Sequence, residues 1–278
     1  MTADQDLNLW RARWNLTADG SGFVTEYTLS HVQPVVTHDG RRAVLKIATA
    51  AEERRGGEAM VWWAGRGTAR VLDHDGEALL LERLAGEGDL KAMAGGAEDD
   101  AATLILCDVA MAMHRPAEAS APLVPLYDWF AELSRAAVGS STDRPLFEAG
   151  WQIAQGLFAE KKPPVALHGD MHHGNAMRSA DGAWLAIDPK GLVGDAGYDF
   201  ANILHNPTAE VAHAPGRLGR QARIIAVRTR QPLQRVLRWA IAHGALSAAW
   251  SLADGRQDRT DLRLTTVRIA QAELAAAA

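Results

Sequence analysis

A chain of 278 residues has room for one large domain or two small ones, and 47% hydrophobic with 23% charged residues is an ordinary globular balance. The net charge of -5 argues against nucleic acid as a partner, and no apolar run approaches the roughly 20 residues a membrane span needs. Cys107 is the only cysteine, which excludes an internal disulfide and suits a reducing cytosol; the acidic start MTADQDLNLWRARW is no signal peptide, so a cytoplasmic protein, expected to be a monomer, is read.

In chain order, Phe23 to Leu29 and Val32 to Thr37 are β-rich runs, and His38-Asp39-Gly40-Arg41 is a hairpin signal leading to a third strand, Ala43 to Ile47. Glu52 to Ala64 reads as a helix despite Gly56-Gly57. Ala69 to Leu72 and Ala78 to Leu81 flank the turn Asp73 to Gly76 as two more strands. The order β-β-β-α-β-β is not that of a doubly wound sheet. Gly86, Gly88, Gly95 and Gly96 then loosen the chain. A helix starts at Glu98-Asp99-Asp100, where acids suit the dipole, and carries an apolar stripe through Ile105, Val109 and Met113. Further helices are predicted at Leu126 to Ala137, Leu146 to Glu160, Leu218 to Arg230 and Pro232 to Leu252.

Between these helices lies a unit of different texture. Val165 to Leu167 is a short strand, His168 to Asn175 a polar loop, and Asp181-Gly182 a turn before the strand Trp184 to Ile187, which ends in Asp188. A hairpin folds its ends together, so Asp170 and Asp188 can converge. Phosphoryl transfer asks for metal ions on the phosphates, a group orienting the attacking hydroxyl, and positive charge. Asp170 suits the orienting base; Asn175 and Asp188 offer the hard oxygens that Mg²⁺ prefers. A rival reading takes His168, Asp170, His172 and His173 as a zinc-hydrolase loop, but their order differs from such loops and the reading leaves the upstream Lys and Glu signals unused.

His168-Gly169-Asp170-xxxx-Asn175 resembles the catalytic loop of aminoglycoside phosphotransferases, relatives of the protein kinases, and Leu185-Ala186-Ile187-Asp188 resembles their metal-binding strand end. The stretch His168 to Leu204 is similar to the streptomycin 6-phosphotransferase and hydroxyurea-resistance branch. So are AVLKIATAAEERRGGEAMVWWAGRGTARVL from Ala43, ALLLER from Ala78, APGRLGRQ from Ala214 and LSAAWSL from Leu246. The resemblance implies an α+β, two-lobed protein-kinase-like fold. The N-lobe would span residues 1–82 and the helical C-lobe residues 83–278, with nucleotide between them. It implies ATP and Mg²⁺ as nucleotide co-substrate and metal, O-phosphorylation of a cationic aminoglycoside such as streptomycin, and antibiotic resistance. Hydroxyurea or another small hydroxyl metabolite is the alternative acceptor. A non-catalytic kinase-like binding module is a third reading, opposed by the joint presence of Lys46, Asp170, Asn175 and Asp188.

The resemblance also places Lys46 on the α- and β-phosphates, and the Glu82 carbonyl and Leu84 amide on adenine. Glu58 is expected to pair with Lys46, with Glu52 and Glu53 as competitors. There is no GxxxxGK[ST] and no G-x-G-x-x-G. The turn near Thr28 to His31, with amides and the Ser30 hydroxyl, is therefore expected to cover the phosphates. Asp199, in the Asp195 to Asp199 segment, is expected to tie backbone to the catalytic loop; Lys190 is expected either at a phosphate or on the surface. From Val211 to Ala253 there is no acid, while arginines recur from Arg217 to Arg238; these read as a solvated helix face.

Overall fold

The computed structural model describes residues 3–25, 29–118, 120–139 and 141–277. They form two compact units. One comprises the described residues up to Gly88 with Glu118–Leu123 and Met177–Gly191; the other comprises Asp89–Ala117, Val124–Ala176 and the described residues from Leu192 on.

The first unit opens with helix α1 (Ala3–Arg13), then strands β1 (Thr17–Ala18), β2 (Phe23–Val24), β3 (His31–Val36) and β4 (Arg42–Ile47). Helix α2 (Ala51–Trp63) follows, then β5 (Val71–Asp75) and β6 (Ala78–Glu82). The strands make an antiparallel sheet in the order β1-β3-β4-β6-β5, with β2 on β3. The run read from Phe23 to Leu29 is thus a strand only at Phe23–Val24, and residues 26–28 lie outside the described residues.

The period of two along β4 decides where its lysine goes. Ala43, Leu45 and Ile47 turn to one face and are buried with Leu7 and Trp10 of α1, a helix the sequence reading did not anticipate. Val44 and Lys46 therefore turn to the other face. On β6, Ala78 and Leu80 join the first core, while Leu79 and Leu81 pack with Met60 of α2 and Ala69. The glycine run after β6 is less loose than it reads. The Gly86 amide donates to the Arg178 carbonyl at 2.8 Å, and a side chain there would meet the Ser179 carbonyl oxygen at 2.2 Å. Arg178 ends the first strand of the predicted hairpin, Ala176–Arg178 with Trp184–Ala186.

The second unit is mainly helical: α3 (Leu90–Ala94), α4 (Asp99–Met113), α5 (Leu126–Trp129), α6 (Ala131–Val138), α7 (Arg144–Ala159), α8 (Gly197–Ala201), α9 (Ala209–Ala212), α10 (Arg217–Thr229), α11 (Leu233–Ala253) and α12 (Gln257–Ala276). A small sheet joins Val124–Pro125, Leu192–Gly194 and Val165–Leu167. Helix α11 is apolar nearly all round and is sheathed by α6, α7, α8 and α12. Trp239 on α11 meets the rings of Phe130, Phe158 and Tyr198 edge-on, a favourable use of ring quadrupoles. The helix read from Leu126 to Ala137 is broken at Phe130, whose fully buried ring turns into this core. The arginine run is not wholly a solvated face. Arg217 is buried and grips Asp99 through two nitrogens, at 2.7 and 2.9 Å, and Arg235 is buried against Glu160 and Asp195. Acids distant in sequence neutralise these two guanidiniums.

Candidate active site

A cavity of about 330 Å³ opens on the Val44–Lys46 face of the first sheet. Val32, Val44, Met60, Leu79, Leu81 and Leu84 give it an apolar lining; Lys46, Glu53 and Asp188 supply charge. An apolar slot with convergent charge fits a flat heteroaromatic ring carrying an anionic tail. Glu82 also borders it, and its carboxylate accepts from the Arg70 amide at 2.6 Å. Glu82 and Leu84 both line the slot.

Lys46 Nζ lies 2.5 Å from Glu53 Oε2 and is also bonded to Asp188 Oδ1. Burial opposes the ammonium charge, but the carboxylates of Asp188 and Glu53 outweigh it and hold the Lys46 pKa above its ordinary value. The expected partner, Glu58, is corrected to Glu53. Residues 53, 56, 59, 60 and 63 form the buried stripe of α2, whereas Glu58 falls outside that stripe and is exposed. Helix phase, not proximity in sequence, makes the choice.

Glu53 is gripped a second time. Lys190 Nζ lies 2.6 Å from Glu53 Oε1 and 3.2 Å from Glu52 Oε1. Lys190 is buried, so of the two expectations for it the surface one does not hold. Two lysines on one carboxylate, with Asp188 completing the group, offset the desolvation each charge would suffer alone. Ser30 also turns inward. It is fully buried and its Oγ donates to Glu53 Oε2 at 3.4 Å, so the hydroxyl expected to cover phosphate instead braces the ion pair. Thr28 lies outside the described residues. Asp188 has φ 59°, a left-handed backbone that Asp tolerates better than most residues. Next to it, α2 comes so close that a side chain at Gly56 would meet the Pro189 carbonyl oxygen at 2.3 Å.

The second unit holds the loop from His168 to Asn175. Its backbone is fixed from below by Asp199 of α8, fully buried, which accepts from the amides of His168 (2.9 Å) and Gly169 (2.8 Å). Burial works against ionising Asp199, but the bond to His114, at 2.9 Å, leads the groups that hold its pKa below the ordinary value. Asp170 is partly exposed at the loop tip. Its Oδ1 accepts from Asn202 Nδ2 at 2.8 Å. Asn175 Nδ2 donates to the Asp170 carbonyl at 2.9 Å, which turns the Asn175 side-chain oxygen the other way, as a hard ligand would need. His168 Nδ1 accepts from the Asp170 amide at 3.1 Å, and His173 is buried with its pKa pushed down to about 3 by burial. His168 is thus engaged in the loop's own bonding, whereas both ring nitrogens of His173 are buried without a hydrogen-bond partner among the described residues. Among the described residues no group of three or more His, Cys, Asp or Glu could hold a metal ion, so the zinc arrangement is not formed.

Residues 13–255 match the family described as aminoglycoside/hydroxyurea antibiotic resistance kinase. The chain belongs to this family. It is 40% identical over 249 residues to the streptomycin 3''-kinase of Klebsiella pneumoniae, covering 87% of this chain and 91% of that protein. It is 30% identical over 262 residues to the streptomycin 6-kinase of Streptomyces griseus, covering 87% and 81%. Among solved structures, aminoglycoside phosphotransferase APH(4)-Ia shares the fold with a TM-score of 0.68 at 17% identity, covering 97% of this chain and 99% of that one. The resistance-kinase chain is therefore a phosphotransferase with a protein-kinase-like α+β fold, as the resemblance carried by the HGD loop implied.

Sequence reasoning about this kinase named Glu53 only as a competitor of Glu58, and missed Asn202 and His243. Asn202 follows Asp199 by three residues and so shares its helix face, the one signal on which it could have been found.

Proposed function

We propose that this kinase transfers the γ-phosphate of ATP to a hydroxyl of streptomycin, at the 3'' position, and so confers resistance. The observation that carries the acceptor is the 40% identity, over nearly the whole length, to a streptomycin 3''-kinase. The 6-kinase of Streptomyces griseus is less similar, at 30%. Solved relatives of the same fold hold ADP or AMP-PNP beside hygromycin B, which supports a nucleotide in the role assigned to the first unit.

In this reading the slot lined by Leu79, Leu81 and Leu84 takes adenine, with the Glu82 carbonyl and Leu84 amide on its edge. Lys46, fixed by Glu53, neutralises the phosphates. Mg²⁺ would be held by Asp188 and Asn175 together with phosphate oxygens; both residues present hard oxygens, and the ion would neutralise charge developing on the phosphates. Asp170 accepts the acceptor hydroxyl proton as its oxygen bonds to the γ-phosphorus and the bond to the bridging oxygen breaks, releasing ADP. Residues 1–82 then serve as the nucleotide lobe and residues 83–278 mainly as the acceptor lobe of a cytoplasmic monomer.

The test is incubation of the purified protein with ATP, Mg²⁺ and streptomycin, with the product located by fragmentation mass spectrometry. Phosphate on the 3'' oxygen is expected, together with raised resistance of a sensitive bacterium to streptomycin and none to kanamycin. An Asp170→Asn control should lose ~10²–10⁴ in rate. Absence of phosphorylated streptomycin would sink the acceptor. Phosphorylated hydroxyurea would then favour the reading suggested by 30% identity to the hydroxyurea phosphotransferase of Kitasatospora aureofaciens.

A further inference from the structure

We propose that Asn202, held by His243 and Asn206, is a positioning residue that pins one carboxylate oxygen of Asp170 so that the other addresses the acceptor hydroxyl. The inference rests on the reading of Asp170 as the orienting base. Its own observation is a chain of buried amide and imidazole groups ending on that carboxylate. Asn202 is 7% exposed and begins the 3₁₀ turn Asn202–His205 that follows α8. Its Nδ2 donates to Asp170 Oδ1 at 2.8 Å. The contacts to Asp170 Oδ2 are longer, 3.4 Å from Asn175 Nδ2 and 3.8 Å from His172 Nε2.

An amide can present either end, and only one end suits a carboxylate, which accepts and cannot donate. The Asn202 oxygen is claimed from behind. Asn206 Nδ2 donates to it at 2.8 Å, and His243 Nε2 lies 3.0 Å from it. His243 is buried on α11, and burial pushes its pKa well below the ordinary value, so the ring is neutral and carries one proton. With Nε2–H donating to Asn202, Nδ1 is left to accept from the Tyr198 hydroxyl, 3.4 Å away. Both His243 nitrogens and both ends of the Asn202 amide are engaged in this arrangement, and reversing the Asn202 amide would set oxygen against oxygen at Asp170. The short segment from Asp199 to Asn202 thus grips the catalytic loop twice, by its backbone through Asp199 and by its reactive side chain through Asn202. Catalytic groups held loosely lose rate steeply, since a displacement of ~1 Å can cost ~10²-fold.

The test compares Asn202→Ala and His243→Phe with wild type and Asp170→Asn. Four quantities are read: kcat, KM for ATP, the ADP released per phosphorylated acceptor, and the melting temperature. For Asn202→Ala, kcat should fall ~10–10²-fold while KM for ATP stays within about twofold, because the nucleotide groups lie elsewhere. ADP released per product should rise, since a carboxylate free to turn also orients water; a merely structural role would leave that ratio unmoved. His243→Phe should shift the same ratio less, because Asn206 still donates to Asn202. A folded Asn202→Ala protein with wild-type kcat and ratio overturns the inference. Failure of both variants to fold also overturns it, by assigning the chain of bonds to stability. An active Asp170→Asn protein would instead overturn the reading of the base itself.

Discussion

Glu53 is a carboxylate shared by two lysines, and its replacement should be far costlier than its neighbours'. Glu53→Gln keeps the shape but leaves Lys46 and Lys190 short of charge in a buried place. We expect it to lower kcat/KM for ATP by at least ~10²-fold, on the scale of losing one partner of a buried pair. Glu58→Gln, on the exposed face, should stay within about twofold; steady-state kinetics at varied ATP decides. Equal losses at both positions would refute the assignment of the pair. The two cases also show what could be read without coordinates. Lys46 was legible through the family resemblance of its strand, and alternation along Ala43 to Ile47 then sets which face it takes. Its partner was not, because Glu52, Glu53 and Glu58 all lie on one predicted helix with two glycines, and only packing sets that helix's phase. Asn202 was hidden for a related reason. Its value comes from His243, forty-one residues away, and no local pattern marks such a pair.

Helix α2 meets the strand end at Asp188 through the bare backbone of Gly56. A Gly→Ala change inside a helix ordinarily stabilises by up to ~1 kcal/mol. At Gly56 the new methyl would press on the Pro189 carbonyl, a clash with backbone, and overpacking costs ~1–3 kcal/mol. At Gly57 the same methyl would find Leu79 at 3.8 Å, an ordinary contact. Gly56→Ala should therefore lower the urea midpoint and weaken ATP binding, and Gly57→Ala should raise the midpoint. Denaturation of the two variants side by side checks the sign, and a stabilised Gly56→Ala would show that α2 can move away. Elements with clear periodicity, such as β4, β6 and α4, were legible in the sequence. Helix α12 was not, because its Thr and Val residues and scattered charges show no strong stripe, and it is held by packing along α11. The break at Phe130 was invisible because no proline or glycine marks it; the pull of the aromatic core does.

At the scale of the whole molecule, folding buries imidazoles that water would otherwise protonate. Burial pushes His205 down to about 3 and His243 well below its ordinary value. Their rings stand 5.4 Å apart, so charging both would also set like charges together. A depressed histidine pKa means that the unfolded chain binds the extra proton first as pH falls. Stability is therefore full above the unfolded pKa near 6.5 and declines as pH drops towards the folded value. Each ring contributes up to about 1.4 kcal/mol per pH unit in that window. Urea midpoints should fall between pH 7.5 and pH 5, and His205→Gln should flatten the slope. An unchanged slope in that variant would show that the acid sensitivity arises at other groups.

The left-handed backbone at Asp188 makes that position a test of two separate demands placed on one codon. The turn into Pro189 narrows the tolerated residues to those at ease at positive φ, chiefly Gly, Asn and Asp. Of those three, only Asp brings a negative charge to Lys46. Replacement by Asn or Gly therefore preserves the shape and discards the chemistry, whereas Glu preserves the charge and strains the turn. A saturation library scored separately for folding and for turnover would part here, with several survivors on the first axis and one on the second.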